Sequence, residues 1–212
     1  CIALEAFTLV ALATPELADI NNPAVRFALS ALCTLVSSAT IYYWLRRARG
    51  TGTIVAILDT GFMKAHEAFS VMPTNTKYSK DDIASLLQSQ SLASKVTDAD
   101  SVYINEKAPY GYDYANGDAD AEAVGQAHGV HVAGTVAGNN GKDFHGVAPN
   151  AQLMIMKIFG DDGSGAYDSD IFAALEDAVM LGADAVNMSL GLTAGFSEAA
   201  ETKMQQVYQR VK

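Results

Sequence analysis

Two residues far apart in the chain are of the types that acid–base chemistry needs. Asp59 closes the apolar run Val55-Ala56-Ile57-Leu58 and is followed by the turn residues Thr60-Gly61. His128 opens the stretch Gly129-Val130-His131-Val132-Ala133-Gly134-Thr135-Val136-Ala137-Gly138. A carboxylate on one imidazole nitrogen fixes the tautomer, and the other nitrogen is then free to move a proton. A pair of this kind is a general base that lacks only a nucleophile to activate. The small residues Gly129, Ala133, Gly134 and Ala137 allow a helix starting at His128 to press its backbone against a neighbouring element.

The elements that must hold this pair alternate from Thr51 onward. Thr53 to Leu58 reads as a buried strand by its β-branched and apolar content. Residues 63 to about 125 read as a long connection, in which Lys80 to Ser89 forms a short helix on Ile83, Leu86 and Leu87. The helix at His128 is followed by the turn signal Asn139-Asn140-Gly141, a buried strand over Ala151 to Phe159, and the loop Gly160 to Gly165. Ile171, Leu175, Ala178 and Val179 share one helical face, with Asp168 and Ser169 as candidate caps and Gly182 as a left-handed terminator. Ala183 to Leu190 reads as a further buried strand, and Ser197 caps a last amphipathic helix carrying Ala200, Met204, Val207 and Val211.

This rhythm predicts an α/β fold, a parallel sheet flanked by helices. In such sheets ligands bind beyond the carboxyl ends of the strands. Asp59, Gly160 to Gly165, and Ser189 to Gly191 each follow such an end, so the chemistry is expected on that edge.

The chain has 212 residues, half of them hydrophobic and 18% charged, enough for a substantial core. Its formal net charge of -10 argues against nucleic-acid binding, which needs a basic surface. Cys1 and Cys33 both precede Asp59, so the downstream part holds no cysteine nucleophile, redox pair or thiolate zinc site. Asp113, Asn116, Asp118 and Asp120 form an acidic loop. The glycine of an EF-hand is missing from its sixth position, and a solvated turn is the expectation. No motif requires a cofactor or a metal. Calcium is left open without support.

Residues 1 to 50 differ in composition. Phe27 to Leu45 carries no charge and approaches the roughly 20 residues that cross a bilayer. It ends in Tyr42-Tyr43-Trp44 and then Arg46, Arg47 and Arg49, like an interfacial belt with a basic flank. The expectation is a membrane-spanning helix and membrane association through residues 27–45. A buried core helix is the competing reading, given Ser30, Thr34, Ser37, Ser38 and Thr40. The basic flank would leave residues 51–212 inside the cell, which motivates a further reading of residues 1–50 as foreign to the rest.

The ordered blocks Val55 to Gly61, His128 to Thr135, Gly146-Val147-Ala148-Pro149 and Asn187-Met188-Ser189-Leu190-Gly191 resemble those of the subtilisin-like serine peptidases. The long interval from Asp59 to His128, with Gly61-Phe62 and His66-Glu67-Ala68-Phe69, is most similar to the branch of C5a peptidases and lactococcal cell-envelope proteinases. The resemblance implies a subtilisin-like sheet over residues 51–212, endopeptidase activity on protein or peptide substrates, and a cell-envelope or secreted location. It implies Asp59 as the orienting carboxylate and His128 as general base and acid, in the family's chain order of Asp, His, Ser. It also implies that Gly163, Ser164 and Gly165, with Ser189, Leu190 and Gly191, hold an extended peptide between two backbone segments.

Departures from the family pattern bear on activity. The nucleophile block Gly-Thr-Ser-Met-Ala and the following oxyanion asparagine are absent. Ser164, Ser189 and Ser197 belong to a loop, a substrate strand and a cap, and Asn187 to a strand. The expectation is therefore a truncated, inactive catalytic domain, with a membrane-associated, catalytically dead peptide-binding module as the alternative. Val130 stands where the family has threonine. His131 lies one turn from His128, but without an HExxH pattern a metal pair is not expected. His66 and His145 read as surface or turn residues, and the sequon Asn187-Met188-Ser189 falls in a strand expected to be buried.

Overall fold

The computed structural model describes residues 23–163 and 165–191, together with 202, 205, 206 and 209. Ser164 and the helix expected after Ser197 fall wholly or largely outside these residues. In chain order the elements are α1 (Pro23–Ala48), β1 (Ile54–Asp59), a short 3-10 turn (Glu67–Phe69), α2 (Lys80–Ser89), α3 (Ala99–Val102), β2 (Tyr110–Asp113), α4 (His128–Ala137), β3 (Gln152–Lys157), α5 (Asp168–Met180) and β4 (Ala185–Asn187). The chain divides into two compact units between Ala48 and Arg49.

The helix expected within the first unit is present as α1. Its reading as a membrane span is corrected: among the described residues no helix is long and apolar enough to cross a membrane. Hydroxyl side chains recur through the uncharged stretch, and Thr40 turns its Oγ1 back to the Val36 carbonyl at 2.8 Å. Leu32, Leu35, Val36, Ile41, Tyr42 and Tyr43 of this helix are exposed.

The second unit is built on a four-stranded sheet of order β2-β3-β1-β4, in which every neighbouring pair is parallel. Side chains alternate across the central strands, so each face has its own core. Ile54, Ala56 and Leu58 join Met154, Met156, Tyr110 and Tyr112 against Ile83 and Leu87 of α2 and Ile171, Leu175 and Ala178 of α5. Ile57, Leu153 and Ile155 join Val130, Val132, Ala133 and Ala137 of α4, with Phe62 and Phe69. Helix α4 therefore packs on one sheet face and α2 and α5 on the other, and the α4 N-terminus lies toward the carboxyl end of β1.

Local chemistry explains the boundaries. Helix α2 starts in a capping box, in which the Ser79 side chain accepts from Asp82 N and the Asp82 side chain accepts from Ser79 N. Gly182 stops α5 at φ 73°, as its position predicts. The cap of α5 is instead Tyr167, with no side-chain bond. Asp168 and Asp170 lie in the first turn, where a carboxylate complements the helix dipole. Strand β4 is shorter than expected and among the described residues lies at the sheet edge; Ala185 and Val186 are exposed rather than buried. Strand β2 was hidden in the long connection, since Tyr-Gly-Tyr-Asp is too short for a periodic signal.

Lys107 ties these parts together. It is fully buried, and its ammonium donates to the carbonyls of Ala137 at 3.0 Å, Pro149 at 2.7 Å and Ala151 at 3.2 Å. One of these is the last residue of α4, where a cation suits the helix dipole. Burial lowers its pKa from 10.5 to about 8. Between these values the unfolded chain holds the proton and the folded chain does not, so stability rises with pH across that window. Raising the pH from about 8 toward 10.5 is expected to raise the urea midpoint of the wild-type chain relative to Lys107→Met. Parallel pH dependences in the two proteins would contradict this account.

Candidate active site

Strand β1 delivers Asp59 to the carboxyl edge of the sheet, where it is 1% exposed. The chain turns at Gly61 with φ 110°, a left-handed conformation that side chains disfavour. Phe62 then exchanges backbone bonds with the 121–123 segment, Phe62 N to Ala121 O and Ala123 N to Phe62 O, both at 2.9 Å. That segment runs into α4, so the turn after β1 and the approach to His128 are fastened together.

Helix α4 meets the turn at Gly129. A Cβ there would strike the Gly61 carbonyl oxygen and lie 3.0 Å from Gly61 N and 3.1 Å from Thr60 N. Gly129 N donates to Thr60 Oγ1 at 2.9 Å. This close approach brings His128 Nδ1 to 2.7 Å from Asp59 Oδ1. Thr60 N also donates to Oδ1, at 2.8 Å, and Oδ2 is buried without a hydrogen-bond partner among the described residues. The carboxylate accepts the Nδ1 proton, and the tautomer that results leaves Nε2 as the basic nitrogen. The imidazole is 54% exposed, so one nitrogen is held in the protein while the ring opens to solvent. Thr60 escaped sequence reasoning; its signal was the Asp-Thr-Gly triplet, in which a hydroxyl follows the carboxylate.

The neighbouring strands end in the same register row. Asp59 pairs with Lys157 across β1 and β3, and Asp113 with Lys157 across β2 and β3. Lys157 Nζ lies 2.8 Å from Asp113 Oδ2 and is also paired with Asp161. Burial pulls the Lys157 pKa down, but the two carboxylates outweigh it and hold the ammonium above its ordinary value. Asp113 is thus a buried strand end, which corrects the reading of a solvated loop at that residue, while Asp118 and Asp120 are exposed. Among the described residues no group of three or more His, Cys, Asp or Glu is placed to hold a metal ion.

Because β1 lies between β3 and β4, the segments at 160–163 and 188–191 leave the sheet on opposite sides of Asp59. Gly163, Gly165, Ser189 and Gly191 are exposed and Leu190 is half-buried. Added Cβ atoms at Gly163, Gly165 and Gly191 would meet nothing within 4 Å, so both segments border open space. Ser189 Oγ donates to Asn187 Oδ1 at 3.0 Å. His131 is exposed and lines a cavity of about 700 Å³ with His66, Val130 and Phe144 on the flank of α4. His66 is also exposed, and its Nδ1 accepts from Ala68 N at 3.2 Å.

A family model, that of the subtilase family, matches residues 50–211. This chain belongs to the subtilase family. The match starts after α1. The PI-type proteinase of Lactococcus lactis subsp. cremoris is 35% identical to the subtilase chain over 159 residues, which is 69% of this chain and 8% of the relative. The C5a peptidase of Streptococcus pyogenes is 34% identical over 151 residues, 68% of this chain and 12% of the relative. The chain thus spans 8% to 12% of the length of these curated relatives. Fervidolysin from Fervidobacterium pennivorans, a keratinolytic enzyme related to subtilisin, aligns at a TM-score of 0.52 and 26% identity, over 78% of this chain and 21% of that one. The CspB protease of Clostridium perfringens aligns at a TM-score of 0.53 and 23% identity, over 77% and 34%, a likeness of fold.

The packing of Gly129 on the turn is open to test. Gly129→Ala is expected to push the N-terminus of the subtilase helix α4 off the turn, at a cost of about 1–3 kcal/mol. The low-field Nδ1 proton resonance of His128 should weaken or vanish with it. A variant that keeps both its urea midpoint and that resonance would show that the contact does not position the imidazole.

Proposed function

We propose that this chain is the amino-terminal part of a serine endopeptidase domain, with Asp59 as the orienting carboxylate and His128 as general base and then general acid. The supporting observation is the 2.7 Å bond from His128 Nδ1 to the buried Asp59 carboxylate. A serine hydroxyl is a weak nucleophile until an imidazole takes its proton, and the resulting imidazolium gains from a fixed negative partner. His128 would take that proton on Nε2 and return it to the leaving amine.

Substrates in this reading are proteins or peptides, held extended between Gly163–Gly165 and Ser189–Gly191. Strand-like binding needs bare backbone at close range, and glycine at three of these positions allows it. Likeness to the lactococcal proteinases and C5a peptidases supports an exported or cell-envelope setting. The sequence carries no Gly-Thr-Ser-Met-Ala block, so peptide binding without turnover is the property expected of the chain by itself.

The test is casein hydrolysis and labelling by a serine-directed fluorophosphonate. The chain alone is expected to show neither. Produced in one polypeptide with a subtilase segment that carries the nucleophile block, it is expected to gain both. Asp59→Asn should then lower kcat on the order of 10⁴-fold, the size seen for this exchange in another serine peptidase triad. Labelling of the chain alone, or an extended enzyme indifferent to Asp59→Asn, would remove the assignment.

A further inference from the structure

Four side chains at the carboxyl edge of the sheet form a network that the proposed chemistry does not use. Lys157, the last residue of β3, is 2% exposed at its side chain and is paired with Asp113 and Asp161. Asn116 Nδ2 donates to Asp113 Oδ2 at 3.0 Å and to Asp161 Oδ2 at 3.2 Å, and Asn116 N donates to Asp113 Oδ1 at 2.9 Å. Three of the four residues lie on or beside the sheet. Asp161 alone belongs to the loop that carries Gly163 and Gly165.

That loop carries glycine at positions 160, 163 and 165. Within it Gly163 N donates to Gly160 O at 3.2 Å, and Gly163 adopts φ 80°. A glycine loop facing open space would have to be ordered when a peptide binds beside it, which subtracts from affinity. An exposed lysine–aspartate pair would do little to prevent this. Lys157 is different, because Asp113 already holds its ammonium in place and Asn116 fixes the second oxygen of Asp161. The loop is thereby fastened to a rigid strand end at Asp161, two residues before Gly163.

We propose that Asp161 is a positioning residue, which pre-orders the 160–165 segment for an extended peptide through its bonds to buried Lys157 and to Asn116. This rests on the reading that the segment holds substrate. Removing the Asp161 charge leaves Lys157 paired with Asp113, and the Asp161 side chain is 40% exposed, so the fold survives the change.

The test uses the full 212-residue chain and a fluorescein-labelled eight-residue alanine- and leucine-rich peptide, titrated by fluorescence anisotropy. Asp161→Asn is expected to bind roughly five- to tenfold more weakly than wild type, as expected for a loop that must be ordered on binding. Its urea midpoint should be unchanged, and exchange at the Gly163 and Gly165 amides should be faster. Asp161→Glu, which keeps the carboxylate, should recover most of the affinity. Asp81→Asn, a charge change on α2, should bind like wild type. Affinity that is unchanged in Asp161→Asn, or not recovered in Asp161→Glu, overturns the proposal and leaves the groove reading standing. Wild type that binds no peptide while loop exchange responds to Asp161→Asn removes the groove reading, and the positioning role falls with it.

Discussion

The site depends on one backbone contact, the first turn of α4 lying on the turn that follows β1. Gly129 makes it, because any side chain there would collide with the Gly61 carbonyl oxygen. Thr60 then accepts the Gly129 amide proton and donates its own amide proton to Asp59. With backbone and hydroxyl groups matched in this way, the imidazole needs no long side-chain reach to find the carboxylate. The burial of Asp59 strengthens that bond, since a charge removed from water depends on the few donors left to it.

Much of the surrounding structure serves to hold that contact under load. The inner face of α4 packs on Ile57, Leu153 and Ile155, so the helix is seated by the same strands that carry Asp59 and Lys157. At its far end Lys107 collects three carbonyls from the helix terminus and the approach to β3. A buried ammonium is a costly way to satisfy those groups, and the depressed pKa of Lys107 is the trace of that cost. The sheet edge is treated in the same manner. Lys157 neutralises Asp113 beside Asp59, and a row of strand ends that would otherwise be uniformly acidic becomes an alternating one.

Sequence patterns reached the parts of this arrangement that are local. The bounds of α2 follow from amphipathic spacing and a capping box, those of α4 from its small residues and the turn signal after it, and β1 and β3 from apolar runs that stop at charged residues. Asp59 and His128 were visible as a carboxylate and an imidazole at element ends. Strand β2 was not legible, because four residues with an internal glycine show no period, and its identity comes from pairing with β3. The burial of β4 was misjudged for a related reason. Apolar composition marks a strand but does not say whether it lies inside the sheet or at its edge.

What the chain determined by itself was the inventory: a parallel α/β alternation, a carboxylate and an imidazole at element ends, small residues where backbones must meet, and blocks ordered as in subtilases. Tertiary structure decided the partnerships. Asp113 and Lys157 are distant in sequence and ordinary in type, and only strand order makes them a buried pair. Lys107 looks like a surface lysine until folding surrounds it with carbonyls. The apolar stretch of α1 has the length suggestive of a span, but among the described residues no helix is long and apolar enough to cross a membrane. Periodicity and composition act over a few neighbouring residues, whereas desolvation and charge pairing are set by whatever the fold brings alongside.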